Sequence, residues 1–139
     1  MTRVVVDAST ALAWCFPDET SEYADRVLVS LEGKTILVPP IWGLEISHAI
    51  LVGERTKRLN QSDMRQFAKL LEGLSLVQDM QAVGRYMETV LPLARHHGLS
   101  AYDAAYLELS LRQSAPLATL DAKLRKAAKQ MGAEVFLPK

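Results

Sequence analysis

Four carboxylates stand where chemistry can be done: Asp7, Glu45, Asp103 and Asp121. Asp7 directly follows the apolar run Val4–Val6, and Asp121 follows the short apolar stretch in "LATLDAKL". Glu45 lies early in "PPIWGLEISHAI", and Asp103 stands three residues after Ser100 in "LSAYDAAYLEL". Carboxylates crowded within a few ångströms repel one another, and some stay protonated at neutral pH unless a cation joins them. An all-oxygen donor set favours a hard divalent ion, Mg²⁺ or Mn²⁺. Zinc fits poorly, because the chain holds one cysteine and three histidines that are not spaced as ligands. A Mg²⁺-type site suits phosphodiester hydrolysis, where the ion lowers the pKa of a bound water, orients it and stabilises charge on the leaving oxygen.

Each carboxylate also has a plainer reading. Asp7 and Asp121 fit as caps of helices that start just after them. Ser100 and Asp103 resemble a capping box with Asp in place of Glu. Such placements stabilise a helix by about 0.3–1 kcal/mol through the dipole and a hydrogen bond. The plain alternative for Glu45 is a solvated helix residue. Its neighbours Trp42, Leu44, Ile46, Ala49 and Ile50 are apolar on more than one side, which favours a functional role.

These side chains can meet only if the elements bring them together. Strands are expected at 3–6, in "TILVPP", in "LSLVQ", in "APLATL" and in "EVFLP". Helices are expected near 9–15, in "DETSEYADRVLVSLEG", at 41–58, after Asn60 or Ser62 up to Gly73, at 81–97, after Ser100, and in "DAKLRKAAKQMG". Short apolar strands alternating with helices indicate a parallel sheet covered on both faces. In open α/β sheets, sites lie beyond the carboxyl ends of the strands. Asp7 and Asp121 then share one edge, and Glu45 and Asp103 sit at helix starts able to overhang it.

The 139 residues, 49% apolar and 23% charged, suit a single folded domain over 1–139. The lone Cys15 lies between aromatics and reads as a buried, inert thiol, in keeping with a reducing cytoplasm. No run approaches the roughly 18–20 apolar residues of a membrane span. The first apolar run is cut by Asp7, so neither a membrane anchor nor a secretory signal is expected. Sixteen basic and sixteen acidic residues balance to a net charge of zero. Four carboxylates drawn into one metal site would leave 16 basic against 12 acidic residues elsewhere, so the balance does not exclude an anionic substrate. Arg55, Lys57 and Arg58, and Lys123, Arg125, Lys126 and Lys129, read singly as solvated helix faces; as groups they could track phosphates. His96 and His97 precede Gly98, where a helix end favours cations rather than a metal. Tyr102 and Tyr106 read as core or interface residues.

Taken in order, "VVVDASTALAW", "EISHAI", "LSAYDAAYLELS" and "PLATLDAKL" resemble the PIN-domain ribonucleases, and among them the VapC-type toxins of bacterial toxin–antitoxin pairs. The resemblance runs from residue 4 to about 135. It implies a three-layer α/β/α sandwich with a five-stranded parallel sheet and Mg²⁺- or Mn²⁺-dependent endonuclease activity on RNA. It also implies a homodimer and inhibition by a small VapB-type antitoxin. The family's acidic site carries over to Asp7, Glu45, Asp103 and Asp121, with Ser9 and Thr119 as supporting polar residues. One departure stands at His48, where the family often has Asn three residues after the glutamate. On a helix His48 shares a face with Glu45, so it either bonds Glu45 or simply packs, the second being the plainer reading. A phosphatase using a nucleophilic aspartate is disfavoured, because Ser9 occupies the place of the second Asp in D-x-D-x-T. A nuclease that is not a toxin, and a non-catalytic protein-binding module, remain as alternative functions.

Overall fold

Successive side chains of a strand point to opposite faces of a sheet. Val4, Val5 and Val6 are nevertheless all buried, so the sheet that contains them is covered on both sides. The computed structural model describes residues 2–138. The chain runs β1 (Arg3–Val6), α1 (Ala8–Ala13), α2 (Glu22–Ser30), β2 (Thr35–Val38), α3 (Trp42–Arg55), α4 (Gln61–Glu72) and β3 (Ser75–Gln78). It continues with α5 (Val83–His97), α6 (Ala101–Gln113), β4 (Leu117–Ala118) and α7 (Ala122–Gln130). The strands are parallel in the order β3-β2-β1-β4, with Val5 opposite Leu37 on one side and Leu117 on the other. β1 therefore lies inside the sheet, which explains its unbroken valines.

The expected fifth strand is reduced to one parallel bridge between Leu117 and Val135. The Leu117 N–H donates to the Glu134 carbonyl and the Phe136 N–H donates to the Leu117 carbonyl, both at 2.8 Å. Among the described residues the ladder does not continue beyond that point. Thr119 turns its side chain to Asp7, and the Phe136 carbonyl accepts from the Tyr23 hydroxyl of α2 at 2.7 Å. Among the described residues the sheet thus has four strands rather than five.

Local chemistry sets the helix boundaries near the site. Asp7 caps α1, Ser100 caps α6 and Asp121 caps α7, each accepting from a backbone N–H three residues on. Asn60, not Ser62, caps α4, and it does so through a full capping box with Asp63. Gly98 ends α5 at φ 62°, the left-handed conformation that costs glycine least. That tight turn aims α6 back across β1, β2 and β4, with α5 and α7 packed against it. Buried Leu107, Leu109 and Leu117, together with the β1 valines, fill the space beneath.

Candidate active site

Asp7, Glu45, Asp103 and Asp121 line one pocket of about 210 Å³, together with Ala8, Ser9, Leu12 and Tyr106. Asp7 closes β1, and Asp121 stands three residues after the end of β4. Glu45 is in the first turn of α3, and Asp103 is in the first turn of α6. All four sequence-predicted carboxylates are brought together at the carboxyl edge of the sheet.

Asp7 is the deepest, at 3% exposure. Its Oδ1 accepts from the Thr10 N–H at 3.0 Å, and the Ser9 hydroxyl lies 2.8 and 2.9 Å from its two oxygens. Its Oδ2 accepts from the fully buried Thr119 hydroxyl at 2.5 Å. Both hydroxyls are themselves acceptors: Ser9 Oγ takes the Leu120 N–H and Thr119 Oγ1 takes the Asp121 N–H. Ser9 and Thr119 therefore stitch the ends of β1 and β4 together through Asp7. The cap and site readings of Asp7 and Asp121 coincide, since each carboxylate holds its own helix start and still faces the pocket.

Burial pushes the Asp7 carboxyl above the ordinary range, against the pull of the bonds from Thr119, Thr10 and Ser9. Glu45 is raised by burial and then by the charges of Asp103 and Asp7, while its bond from Tyr106 opposes the shift. Asp103 is raised by burial and by Asp121 and Asp7, with Ser100 and the Lys123 ammonium opposing. Asp7 thus holds its proton more tightly because it is buried, and Glu45 and Asp103 because they are partly buried and near other carboxylates, a condition a divalent cation relieves. The donors are all oxygen. Among the described residues, no three His, Cys, Asp or Glu side chains already close on one point. A Mg²⁺-type ion keeps several waters and needs only one or two carboxylates from the protein, so the pocket fits it in donor type.

His48 does not join this group. It is exposed on α3 and lies outside the pocket lining, and its side chain makes no hydrogen bond among the described residues. The partner of Glu45 is instead Tyr106, whose hydroxyl donates to Oε1 at 2.5 Å. Tyr106 follows Asp103 by three residues, a spacing that puts both on one face of α6 and was the available signal for it. The basic residues divide. Arg58 is engaged by Asp18 and Glu19 and stacks 4.5 Å over Phe16. Arg125 donates to the Thr119 carbonyl at 2.7 Å and lies over the Tyr23 ring. The Lys123 ammonium opposes the shift of Asp103.

A larger groove of about 350 Å³ shares α3 and α6 with this pocket. It is lined by Pro39, Pro40, Ile41, Leu44, Tyr86, Val90, Ala101, Tyr102 and Ala105. Apart from two phenols it carries no titratable side chain, whereas the smaller pocket gathers the four carboxylates.

Several known proteins share this frame. The chain is 26% identical over 122 residues to ribonuclease VapC3 of Pyrobaculum aerophilum, covering 88% of this chain and 92% of that protein. The crystal structure of PAE2754 from Pyrobaculum aerophilum superposes with a TM-score of 0.67 at 24% identity, over 91% of this chain and 79% of that one. VapBC2 of Rickettsia felis, solved bound to a DNA fragment from its promoter, gives a TM-score of 0.65 at 15% identity over 96% of each chain. FitAcB of Neisseria gonorrhoeae gives 0.62 at 18% identity over 97% of each. These structural likenesses are likenesses of fold. The PIN domain family model matches residues 4–130, from the second residue of β1 to the end of α7 and with all four pocket carboxylates, and the chain belongs to the PIN-domain family.

Proposed function

We propose that this protein is a divalent-metal-dependent endoribonuclease, the toxin of a VapBC-type pair, with Asp7, Glu45, Asp103 and Asp121 as its acidic centre. The observation that carries this reading is the convergence of four carboxylates from four separate elements on one pocket beyond the sheet's carboxyl edge. Its likeness to a curated relative named as a ribonuclease supports RNA as the substrate.

Each part of the pocket has a defined task in that reaction. Asp7 is held by Ser9, Thr10 and Thr119, so it presents a fixed anionic oxygen to a cation. Glu45 and Asp103 supply further oxygen donors from α3 and α6, and Asp121 closes the rim from α7. When bound, Mg²⁺ or Mn²⁺ supplies an activated water and charge stabilisation at the scissile phosphate. Hydrolysis then adds the water oxygen to phosphorus and releases the leaving RNA oxygen with a proton, with no covalent enzyme intermediate. The pocket itself is anionic, so attraction for the RNA backbone comes from exposed Lys123, Lys126 and Lys129 along α7.

The partner set is an RNA substrate, a VapB-type antitoxin and a second copy of the chain. The homodimer is supported by an apolar stripe that α3 and α5 leave open. Leu44 and Leu51 are exposed at 69% and 43%, and Val83, Met87 and Leu91 recur at helical spacing. Among the described residues no helix is long and apolar enough to cross a membrane.

The test is cleavage of defined RNAs with and without Mg²⁺ or Mn²⁺, beside Asp7→Asn and Asp103→Asn. Metal-dependent cleavage that both variants lose is the expected result. Cleavage by either variant at the parental rate refutes the reading.

A further inference from the structure

Tyr106 is the one polar side chain of the pocket that neither the acidic centre nor its two supporting hydroxyls accounts for. It is 1% exposed, the largest of the fully buried side chains. A phenylalanine would fill the same space with no hydroxyl to satisfy, so the oxygen needs a reason to be there. Its partner is Glu45 Oε1 at 2.5 Å, on a helix 61 residues away in sequence. Ala8, at the start of α1 just after β1, lines the same pocket beside it. One phenol thus sits where α6, α3 and the end of β1 meet, the elements that carry three of the four carboxylates.

The carboxylates differ in how they are held. Asp7 has three donors and a short stem. Glu45 has a longer stem, is only half-buried, and among the described residues receives a side-chain hydrogen bond from Tyr106 alone. A glutamate ordered before its ligand arrives does not lose rotamer freedom on binding. Partners that orient metal-binding side chains commonly change metal affinity by about 10–100-fold when removed.

We propose that Tyr106 is a positioning residue for Glu45: its hydroxyl engages Oε1 and leaves Oε2 as the oxygen available to a divalent cation. This rests on the reading of the pocket as a metal centre. Tyr106 touches neither the metal nor RNA in this role; it acts through Glu45.

The experiment is Mn²⁺ titration calorimetry on the parent, Tyr106→Phe, Glu45→Asp and the double variant, with RNA cleavage followed over Mn²⁺ concentration. Tyr106→Phe is expected to bind Mn²⁺ about ten-fold more weakly. Its cleavage rate should return to within a few-fold of the parent once Mn²⁺ is saturating. Glu45→Asp draws the carboxylate away from the phenol by one methylene. In that background Tyr106→Phe should change Mn²⁺ affinity less than about two-fold, because the partner is already gone. Equal affinity in parent and Tyr106→Phe overturns the proposal. So does a Tyr106→Phe loss of the same size in both backgrounds, or a rate depressed equally at every Mn²⁺ concentration together with a lowered melting temperature. Parental Mn²⁺ affinity in Glu45→Asp also overturns it, because moving the carboxylate off the phenol would then have changed nothing. A parent that binds no Mn²⁺ overturns the metal centre itself, a result distinct from all of these.

Discussion

Replacing Arg112 by methionine should lower the melting temperature by about 10 °C. Arg112 sits in the last turn of α6, its side chain 27% exposed. Its Nε donates to both oxygens of Glu108, at 2.6 and 3.2 Å, and its two terminal nitrogens donate to Asp79 in the loop after β3. The Glu108 side chain is only 7% exposed, and its other donor is the Gln81 amide at 3.1 Å. Methionine keeps most of the packing but strands a buried carboxylate. Removing one partner of a buried ion pair costs about 3–5 kcal/mol. The surviving Gln81 bond and the wetter position of Asp79 place this case near the lower end, about 3 kcal/mol. For 139 residues, about 2.1 cal/mol/K of unfolding entropy per residue gives roughly 0.3 kcal/mol/K, hence the 10 °C. Circular dichroism melts at pH 7 supply the measurement. Glu108→Leu combined with Arg112→Met should recover at least half the loss, since two apolar partners leave no stranded charge. A single variant melting within 3 °C of the parent, or a double variant worse than the single, refutes the account.

Asp7→Asn should abolish cleavage yet raise the melting temperature of the metal-free protein. The folded-state pKa values of Asp7, Glu45 and Asp103 are raised, so their stabilising contribution is full below the ordinary carboxylate pKa and is lost as pH rises through the shifted values. Metal-free melts should therefore show stability falling with rising pH above about 4, less steeply in Asp7→Asn; a parent whose stability rises across that window contradicts the shifts. Mn²⁺ at a hundred times its Kd should raise the parent's melting temperature by roughly 9 °C, equivalent to about 2.7 kcal/mol. No shift in differential scanning fluorimetry argues against a cation in the pocket. Gly53→Ala should destabilise despite alanine's better helix propensity, because a Cβ there falls 2.4 and 2.7 Å from two Phe16 ring carbons and 2.9 Å from Leu59 Cδ2. Phe16 is buried and has Arg58 stacked on it, so the ring cannot simply retreat, and a net loss of about 1–2 kcal/mol is expected. A higher melting temperature would count against this packing.

Much of the fold was legible from punctuation and pattern. Three buried valines before an aspartate marked an interior strand, and Gly98 followed by Ser100 marked the tight turn from α5 into α6. The four carboxylates were legible because strand ends and helix starts fix position in a parallel sheet. "EVFLP" misled because its apolar composition fits a strand, while its backbone partners are shared between Leu117 and Tyr23, a competition that only the tertiary fold reveals. His48 drew attention by its spacing from Glu45, yet its ring faces solvent. Tyr106 drew little, because an apolar helix face hides where a phenol's oxygen ends up. Arg125 and Arg58 looked like candidates for phosphate contact, but their charges are spent on a carbonyl, two carboxylates and aromatic rings.

The sheet order also has a kinetic meaning. β1 pairs with β2 across 32 residues of chain, from Val5 to Leu37, but with β4 across 112, from Val5 to Leu117. Loop closure disfavours the longer pairing, and such non-local contacts slow folding. The β1–β4 seam is also where Thr119 reaches Asp7 and where Asp121 joins the same pocket. A chain in which only the β1–β2 half has formed holds Asp7 and Glu45 without the other half of their pocket. The acidic pocket is then expected to close late as the chain folds, so partly folded molecules should carry it incomplete.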